Sequence, residues 1–219
     1  MKNILNFLKS LSENNSREWF EKNKDQYEMV KEEQAKLVDN ILKRITSIEP
    51  EFDRLKPSDC MFRIYRDIRF STDKTPYKTH IGLYFERDGK KSSRPGYYVH
   101  IEPDNKSMVA GGLWMPDASA LKKVRQEIDY NGDKLMDILN QSDFKKSYGG
   151  LSKESMLKKM PKGYLTDHPY IDLLKLKSYT ASHGISDNLL MEENFADYVV
   201  DTLTKLKPVN DFLKEAIES

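Results

Sequence analysis

Three short stretches decide the fold: IGLYF at residues 81–85, YYVHI at 97–101 and SMVAGGLW at 107–114. Each is a mainly apolar run with turn-forming residues around it, a pattern typical of β-strands. The alternating stretch FRIY at residues 62–65 is a fourth candidate strand. Short connections at Asp88-Gly89 and Asp104-Asn105 favour hairpins. The sequence therefore predicts an antiparallel sheet of about four strands between residues 60 and 115.

Helical patterns precede this predicted sheet. Apolar residues recur at helical spacing over residues 4–11, and a second amphipathic run extends over residues 16–48 with a kink near Asn23. Asn15 and Glu18 have the spacing of a capping box, which predicts that the second helix begins at about residue 16. The first fifty residues are therefore expected to be helical.

Helical patterns return after the sheet. A proline inside a helix removes a hydrogen bond and clashes with the preceding turn, so Pro208 predicts a break between the last two helices. The expected helical segments are residues 118–130, 133–139, 167–174, 192–206 and 209–217. The order of helices, then strands, then helices predicts an α+β fold in which N-terminal and C-terminal helices cover the sheet. We expect one domain over residues 1–219, helical over 1–50, sheet over 60–115 and helical over 116–219.

Composition narrows the classes of function. The chain has 36 Lys and Arg against 35 Asp and Glu, a formal net charge of +1, which gives no general electrostatic case for nucleic acid as a partner. A lone Cys60 excludes an internal disulfide and a site built from several thiolates. No run approaches the roughly 18 apolar residues that span a bilayer. We expect a soluble cytoplasmic protein with no membrane contact and no cofactor.

The segment from Arg63 to Lys78 is the strongest candidate for chemistry. It contains five cations and two anions, and hydroxyl-bearing residues follow its three arginines. This combination suits a phosphate or carboxylate ligand. The sequence predicts a small anionic ligand bound in a polar pocket near this segment. The predicted ligand-binding residues are Arg63, Arg66, Arg69, Lys74, Tyr77 and Lys78.

Two other interpretations of the same segment stay open. It could serve a non-catalytic protein- or nucleic-acid-binding module as a basic surface, or its Arg-Asp pairs could only hold a strand and its loop together. Because an unpaired guanidinium in apolar surroundings is costly, we predict that at least two of Arg63, Arg66 and Arg69 reach a carboxylate. The sequence does not settle whether the protein is an enzyme.

Few residues are candidates for proton transfer or metal binding. His100 and Asp67 are the candidate catalytic residues, and His100 lies on the Tyr98 face of its predicted strand. The other histidines, His80, His168 and His183, are each isolated, without the His-x-x-x-His spacing of a metal site. The sequence therefore predicts no metal site.

The stretch RIYRDIRFSTDKTPYKT at residues 63–79 closely resembles the signature of the conserved hypothetical proteins catalogued as domain of unknown function 2461. Further matches are NN at 14–15, WF at 19–20, GYYVHI at 96–101, GGLW at 111–114, PKGY at 161–164 and DHP at 167–169. The resemblance extends over almost the whole chain. It implies a single-domain protein of mostly bacterial and fungal distribution, and it assigns no activity, cofactor or catalytic residue.

Overall fold

The computed structural model describes the backbone of all 219 residues and every side chain except that of Lys91. It has an α+β fold with one four-stranded antiparallel sheet in which strand order follows chain order, β1-β2-β3-β4. The strands are Ile81–Phe85 (β1), Gly96–Ile101 (β2), Ser107–Leu113 (β3) and Tyr179–Ile185 (β4). The predicted fold class is therefore confirmed.

Helices occupy the chain on both sides of the first three strands. Before β1 the α-helices are Lys2–Glu13 (α1), Arg17–Lys22 (α2), Lys24–Ile45 (α3) and Pro57–Cys60 (α4), with a 3-10 helix at Pro50–Arg54. A second 3-10 helix, Gly89–Lys91, lies between β1 and β2. After β3 the α-helices are Ala118–Asn140 (α5), Ser142–Tyr148 (α6), Ile171–Leu174 (α7), Asp187–Leu190 (α8) and Phe195–Glu218 (α9).

Strand β2 has one buried face and one partly buried face that carries polar groups. Tyr97, Val99 and Ile101 are completely buried, whereas Tyr98 and His100 between them are only partly buried. Successive side chains of a strand point to opposite faces, so one face of β2 belongs to the core and the other carries polar groups. Strand β1 contributes Ile81, Leu83 and Phe85 to the core in the same way, as buried side chains.

The predicted hairpin between β2 and β3 is present. Asp104 and Asn105 have positive φ angles of 66° and 58°, the left-handed conformation that a tight hairpin turn requires. The Asp187 carboxylate accepts hydrogen bonds from both of their backbone N–H groups at 3.0 Å. A side chain from the start of α8 therefore holds this turn.

Two predictions about the sheet are wrong. Residues 62–65 form no strand of the sheet, because the neighbouring segment pairs with residues 76–83 only through isolated bridges, Met61 with Leu83 and Tyr65 with Tyr77. Pro76 lacks the N–H that a continuous ladder needs. The fourth strand is β4, which lies inside the region expected to be helical, residues 116–219.

The N-terminal helices begin and break close to the predicted positions. The α2 cap is Ser16, whose hydroxyl accepts a hydrogen bond from the Trp19 N–H at 3.2 Å. Asn15, the predicted capping residue, has another role described below. Asn23 separates α2 from α3, which confirms the predicted kink.

The C-terminal helices differ from prediction at one proline. Helix α5 has a non-helical Asn131, with φ −129° and ψ 32°, which confirms the predicted break. Helix α9 continues through Pro208, so the predicted split is wrong. Leu206 and Val209 on either side of Pro208 are completely buried, and burying such side chains offsets the roughly 3 kcal/mol that an internal proline costs.

The residues group into two compact units, each assembled from separate parts of the chain. The first contains residues 1–92, 98–109 and 184–201, and the second contains residues 93–97, 110–183 and 202–219. The prediction of one domain over residues 1–219 stays a prediction. Within the described residues, no helix is both long and apolar enough to cross a membrane.

Candidate functional site

The basic loop, residues 63–78, folds back on itself in the first unit. Its ends pair through the bridge between Tyr65 and Tyr77, and the Arg66 N–H donates to the Pro76 carbonyl at 2.9 Å. The Lys78 N–H donates to the Ile64 carbonyl at 2.8 Å. These bonds fix the two ends of the loop and place its charged side chains.

Arg66 holds the interior of the basic loop. Its guanidinium donates hydrogen bonds to the Asp73 carboxylate, the Thr75 hydroxyl and, at 3.2 Å, the Thr75 carbonyl. A fourth donation reaches the Ser71 hydroxyl at 3.4 Å. Most of this fork of donors is thus used inside the loop, which leaves Arg66 with a structural role.

Arg69 and Asp67 pair on the exposed side of the loop. Arg69 Nε donates to Asp67 Oδ1 at 2.9 Å, and Nη2 donates to Oδ2 at 2.6 Å. These bonds lower the pKa of Asp67 to about 2, so this candidate proton carrier is a carboxylate at neutral pH. With the pair formed by Arg66, two of the three arginines reach a carboxylate, which confirms the prediction.

Asp73 makes the loop sensitive to acid. The Thr75 N–H, then the Arg66 guanidinium, lower its pKa from 3.8 to about 2. A folded-state pKa below the unfolded value adds stability that is complete above about pH 4 and lost as the pH falls towards 2. We expect Asp73→Asn to be less stable than the native protein at pH 5 and to differ little from it at pH 2. Urea unfolding at each pH measures this difference, and a pH-independent difference would contradict the assignment.

Tyr77 and Lys74 also have structural partners. The Asn15 side chain makes two hydrogen bonds to the Tyr77 backbone. Its Nδ2 donates to the Tyr77 carbonyl at 2.9 Å, and its Oδ1 accepts from the Tyr77 N–H at 3.1 Å. The buried Tyr77 ring stacks on Phe20 with centroids 4.0 Å apart. Lys74 Nζ donates to the Ile68 carbonyl at 3.0 Å. These two predicted ligand-binding residues therefore stabilise the loop.

A cavity of about 410 Å³ lies beside the basic loop. It combines two arginines, one glutamate and two tyrosines, and its lining residues are Arg17, Glu21, Tyr65, Arg66, Ile68, Pro76 and Tyr77. Arg66 donates its hydrogen bonds within the loop, and Glu21 adds a negative charge to the lining that contains Arg17. The cavity therefore presents a weaker case for an anion than its two arginines suggest.

Arg63 and Lys78 are the two remaining cations of the predicted site. Burial, then the charge of Arg63, lowers the pKa of Lys78. The Lys78 ammonium lies 5.5 Å from the centroid of the Phe62 ring. Among the described side chains, neither cation has a carboxylate within ion-pair distance. Lys78 is half-buried and Arg63 is exposed, so the charge of Arg63 acts on an ammonium that is already partly removed from water. The charge of Arg63 also acts on Asp67, which is paired with Arg69.

A cluster of two histidines and a glutamate lies on the partly buried face of the sheet. The ligand atoms of His80, His100 and Glu102 all lie within 4.8 Å of one another. The His80 and His100 rings are 4.4 Å apart between centroids. His100 Nε2 lies 2.9 Å from Glu102 Oε2, and the two side chains are only 12% and 24% exposed. We call these three residues the histidine cluster.

Tyr98 fixes the orientation of His100. Its hydroxyl lies 3.1 Å from His100 Nδ1, so the other ring nitrogen points to Glu102. Gly82 on the neighbouring strand provides the space, because a methyl group there would lie 2.8 Å from the Tyr98 hydroxyl oxygen. Two strands of the sheet therefore hold His100 in one ring orientation.

The electrostatics of the cluster favour a neutral ring at His80. Burial, then the neighbouring His100, lowers the pKa of His80 to about 4. Lys78 acts in the same direction, whereas Glu102 opposes it. At neutral pH the cluster thus presents an unprotonated imidazole nitrogen beside a carboxylate. Such groups can accept a proton or bind a metal ion.

Sequence spacing did not reveal this cluster, since pairing of β1 with β2 brings His80 next to a residue twenty positions later. The available signal was the alternation of His100 and Glu102, which places both on one strand face.

The remaining histidines each have a different partner in the second unit. His168 Nε2 lies 2.9 Å from Asp129 Oδ1, and His183 Nδ1 lies 2.6 Å from the Ser147 carbonyl oxygen.

Comparison with known proteins gives one match. The family model of the conserved hypothetical proteins DUF2461 matches residues 3–212, a range that contains both the basic loop and the histidine cluster. No curated protein and no solved structure matches the chain. Because the match covers nearly all of the 219 residues, the chain belongs to the DUF2461 family.

Proposed function

We propose that the protein binds a small anionic ligand, phosphate- or carboxylate-bearing, through Arg63 and Lys78. The observation that carries this proposal is a half-buried Lys78 beside Arg63, with no carboxylate within ion-pair distance of either cation among the described side chains. A half-buried ammonium beside a guanidinium is unfavourable, as the lowered pKa of Lys78 indicates. A bound anion relieves this repulsion and accepts hydrogen bonds from both groups.

The other predicted ligand-binding residues support the proposal indirectly. Arg66, Arg69, Lys74 and Tyr77 hold the basic loop through their own contacts. A rigid loop fixes Arg63 and Lys78 before a ligand arrives, and this preorganisation lowers the entropic cost of binding. His100, the candidate catalytic residue, would then serve as the proton carrier for a bound ligand if the protein catalyses a reaction.

Lys78→Met tests the proposal with inorganic phosphate as the probe. We expect the variant to weaken phosphate binding about tenfold or more, since a hydrogen bond to a charged group contributes ~1.5 kcal/mol or more. The same variant is expected to unfold at a higher temperature without ligand, because it removes a poorly hydrated charge beside Arg63. Titration calorimetry and thermal unfolding measure the two effects.

The matched control is Lys74→Met, which removes the same charge from an exposed position of the same loop. It removes one exposed hydrogen bond, to the Ile68 carbonyl, and leaves the Arg66 contacts that hold the loop, so it is expected to change phosphate affinity less than about twofold. Equal losses in the two variants would indicate attraction to net charge alone and contradict the proposal. If the native protein shows no saturable phosphate binding, a phosphate-bearing ligand is excluded. The same titration with citrate then tests a carboxylate-bearing ligand, and no saturable binding of either probe would contradict the proposal.

One observation favours the alternative of a non-catalytic protein-binding module. Phe70 in the basic loop is 96% exposed, and its ring lies 5.9 Å from the Arg69 guanidinium carbon. An exposed aromatic side chain beside an arginine is typical of the residues that anchor protein interfaces. Phe70→Ala distinguishes a protein-binding function from anion binding, since it would weaken binding of a protein partner and leave phosphate binding unchanged.

A further inference from the structure

We infer that His80, His100 and Glu102 bind one divalent transition-metal ion, of the class of zinc or ferrous iron. Two imidazole nitrogens and a carboxylate oxygen form a donor set that these ions take in proteins. This inference goes beyond the proposed anion binding and does not depend on it. It also reverses the expectation of no metal site, which rested on the single cysteine and on the spacing of the histidines in the sequence.

The distances within the cluster suit an ion. Ligand atoms around a tetrahedral ion with bonds of about 2.1 Å lie roughly 3.4 Å apart. The three ligand atoms here already lie within 4.8 Å of one another, and His100 Nε2 and Glu102 Oε2 are 2.9 Å apart. Small side-chain rotations would therefore bring all three atoms to bonding distance without moving the strands.

The surroundings of His100 resemble those of a metal ligand. A metal-bound histidine usually donates its other ring N–H to a fixed acceptor, which sets the ring orientation. The Tyr98 hydroxyl occupies that position, 3.1 Å from His100 Nδ1. Its own position depends on the space above Gly82. Tyr98 is thus a positioning residue for the inferred site.

Two nearby cations oppose a metal ion, and neither prevents its binding. Lys106 Nζ lies 3.7 Å from Glu102 Oε1, but the lysine is 61% exposed, and exposed pairs of this kind are weak. Lys78 acts on His80 from a distance. The free energy gained from bonds between the ion and three ligand atoms is larger than the free energy lost to these screened repulsions.

Three protein ligands leave coordination positions open. Structural zinc sites usually have four protein ligands, whereas sites that act on a bound molecule keep a position for water or substrate. The inferred ion therefore belongs to the second class. A phosphate or carboxylate oxygen is a suitable ligand for such an open position.

Cobalt and zinc titrations of protein stripped of metal by a chelator test the inference in a buffer free of phosphate. We expect one equivalent of zinc to bind with a dissociation constant of about 1 µM or tighter, and cobalt to give visible absorption bands of low coordination number. Glu102→Gln and His100→Ala are each expected to weaken zinc binding about a hundredfold or more, and Tyr98→Phe about tenfold.

His168→Ala is the matched control, because His168 is 13% exposed and lies against the Asp129 carboxylate, and among the described side chains these two belong to no group of three metal-ligating residues. It is expected to change zinc affinity less than about twofold. Glu102→Gln keeps the shape of the side chain, so it tests the site even if His100→Ala fails to fold. No stoichiometric binding by the native protein, or equal losses in Glu102→Gln and His168→Ala, would overturn the inference. Neither result depends on whether phosphate binds.

Discussion

Phe20→Ala is expected to lower the free energy of unfolding by about 3–5 kcal/mol. Phe20 is 2% exposed and contacts the rings of four other aromatic residues, Phe7, Tyr27, Tyr65 and Tyr77. Removing its ring leaves a cavity that these large, rigid side chains cannot fill. Urea denaturation followed by far-UV circular dichroism measures the loss.

The same variant affects the basic loop. The Phe20 ring stacks on Tyr77, which directly precedes Lys78. We therefore expect phosphate affinity to fall along with stability. Phe70→Ala is the control, because Phe70 is 96% exposed and its removal should change stability by less than about 0.5 kcal/mol. A loss below about 1 kcal/mol for Phe20→Ala would mean that this aromatic cluster does not stabilise the loop.

Gly112→Ala is expected to lower the free energy of unfolding by about 4 kcal/mol. Gly112 has a φ of +114°, a conformation that costs a residue with a Cβ about 1–3 kcal/mol. A methyl group there would also lie 2.0 Å from the Tyr179 carbonyl oxygen. This oxygen belongs to the backbone of β4, so it cannot move without disturbing the pairing of β3 with β4, and such overpacking costs another 1–3 kcal/mol.

Gly184→Ala provides the comparison within the same sheet. Gly184 lies in β4, and a methyl group added there meets no described atom within 4 Å. We expect its effect on the free energy of unfolding to stay within about 0.5 kcal/mol. Similar losses in the two variants would attribute the effect to glycine replacement in general. A large loss in Gly112→Ala alone supports the close approach of β3 and β4.

The fold was predictable where local chemistry determines it. Asp104 and Asn105 adopt positive φ angles readily, so the hairpin between β2 and β3 follows from those two residues. Strand β4, with the sequence YTASHGI, buries alternate residues, but two of its inward residues, Ala181 and His183, are small or polar and give a weak apolar pattern in the sequence. Its identity depends on pairing with β3, and pairing between distant segments leaves little trace in a single sequence.

The candidate site was also predictable from the sequence only in part. The pairing of Arg66 and Arg69 with carboxylates followed from the cost of an unpaired guanidinium, which acts wherever the loop folds. The histidine cluster depends on which strands are neighbours, so the isolation of His80 along the chain was misleading. The role of Asn15 was likewise hidden, because its partner is the backbone of Tyr77, and backbone groups look alike in any sequence.

The position of β4 in the chain has a consequence for folding during synthesis. Strand β3 ends at Leu113, and its partner begins only at Tyr179. While residues 114–178 are being made, β3 is an edge strand with unpaired backbone groups, a state that favours association with other chains. Closing so long a loop is also slow compared with forming a hairpin. Completion of the sheet is therefore a late folding step, and the period before it is when the nascent protein most needs protection from aggregation.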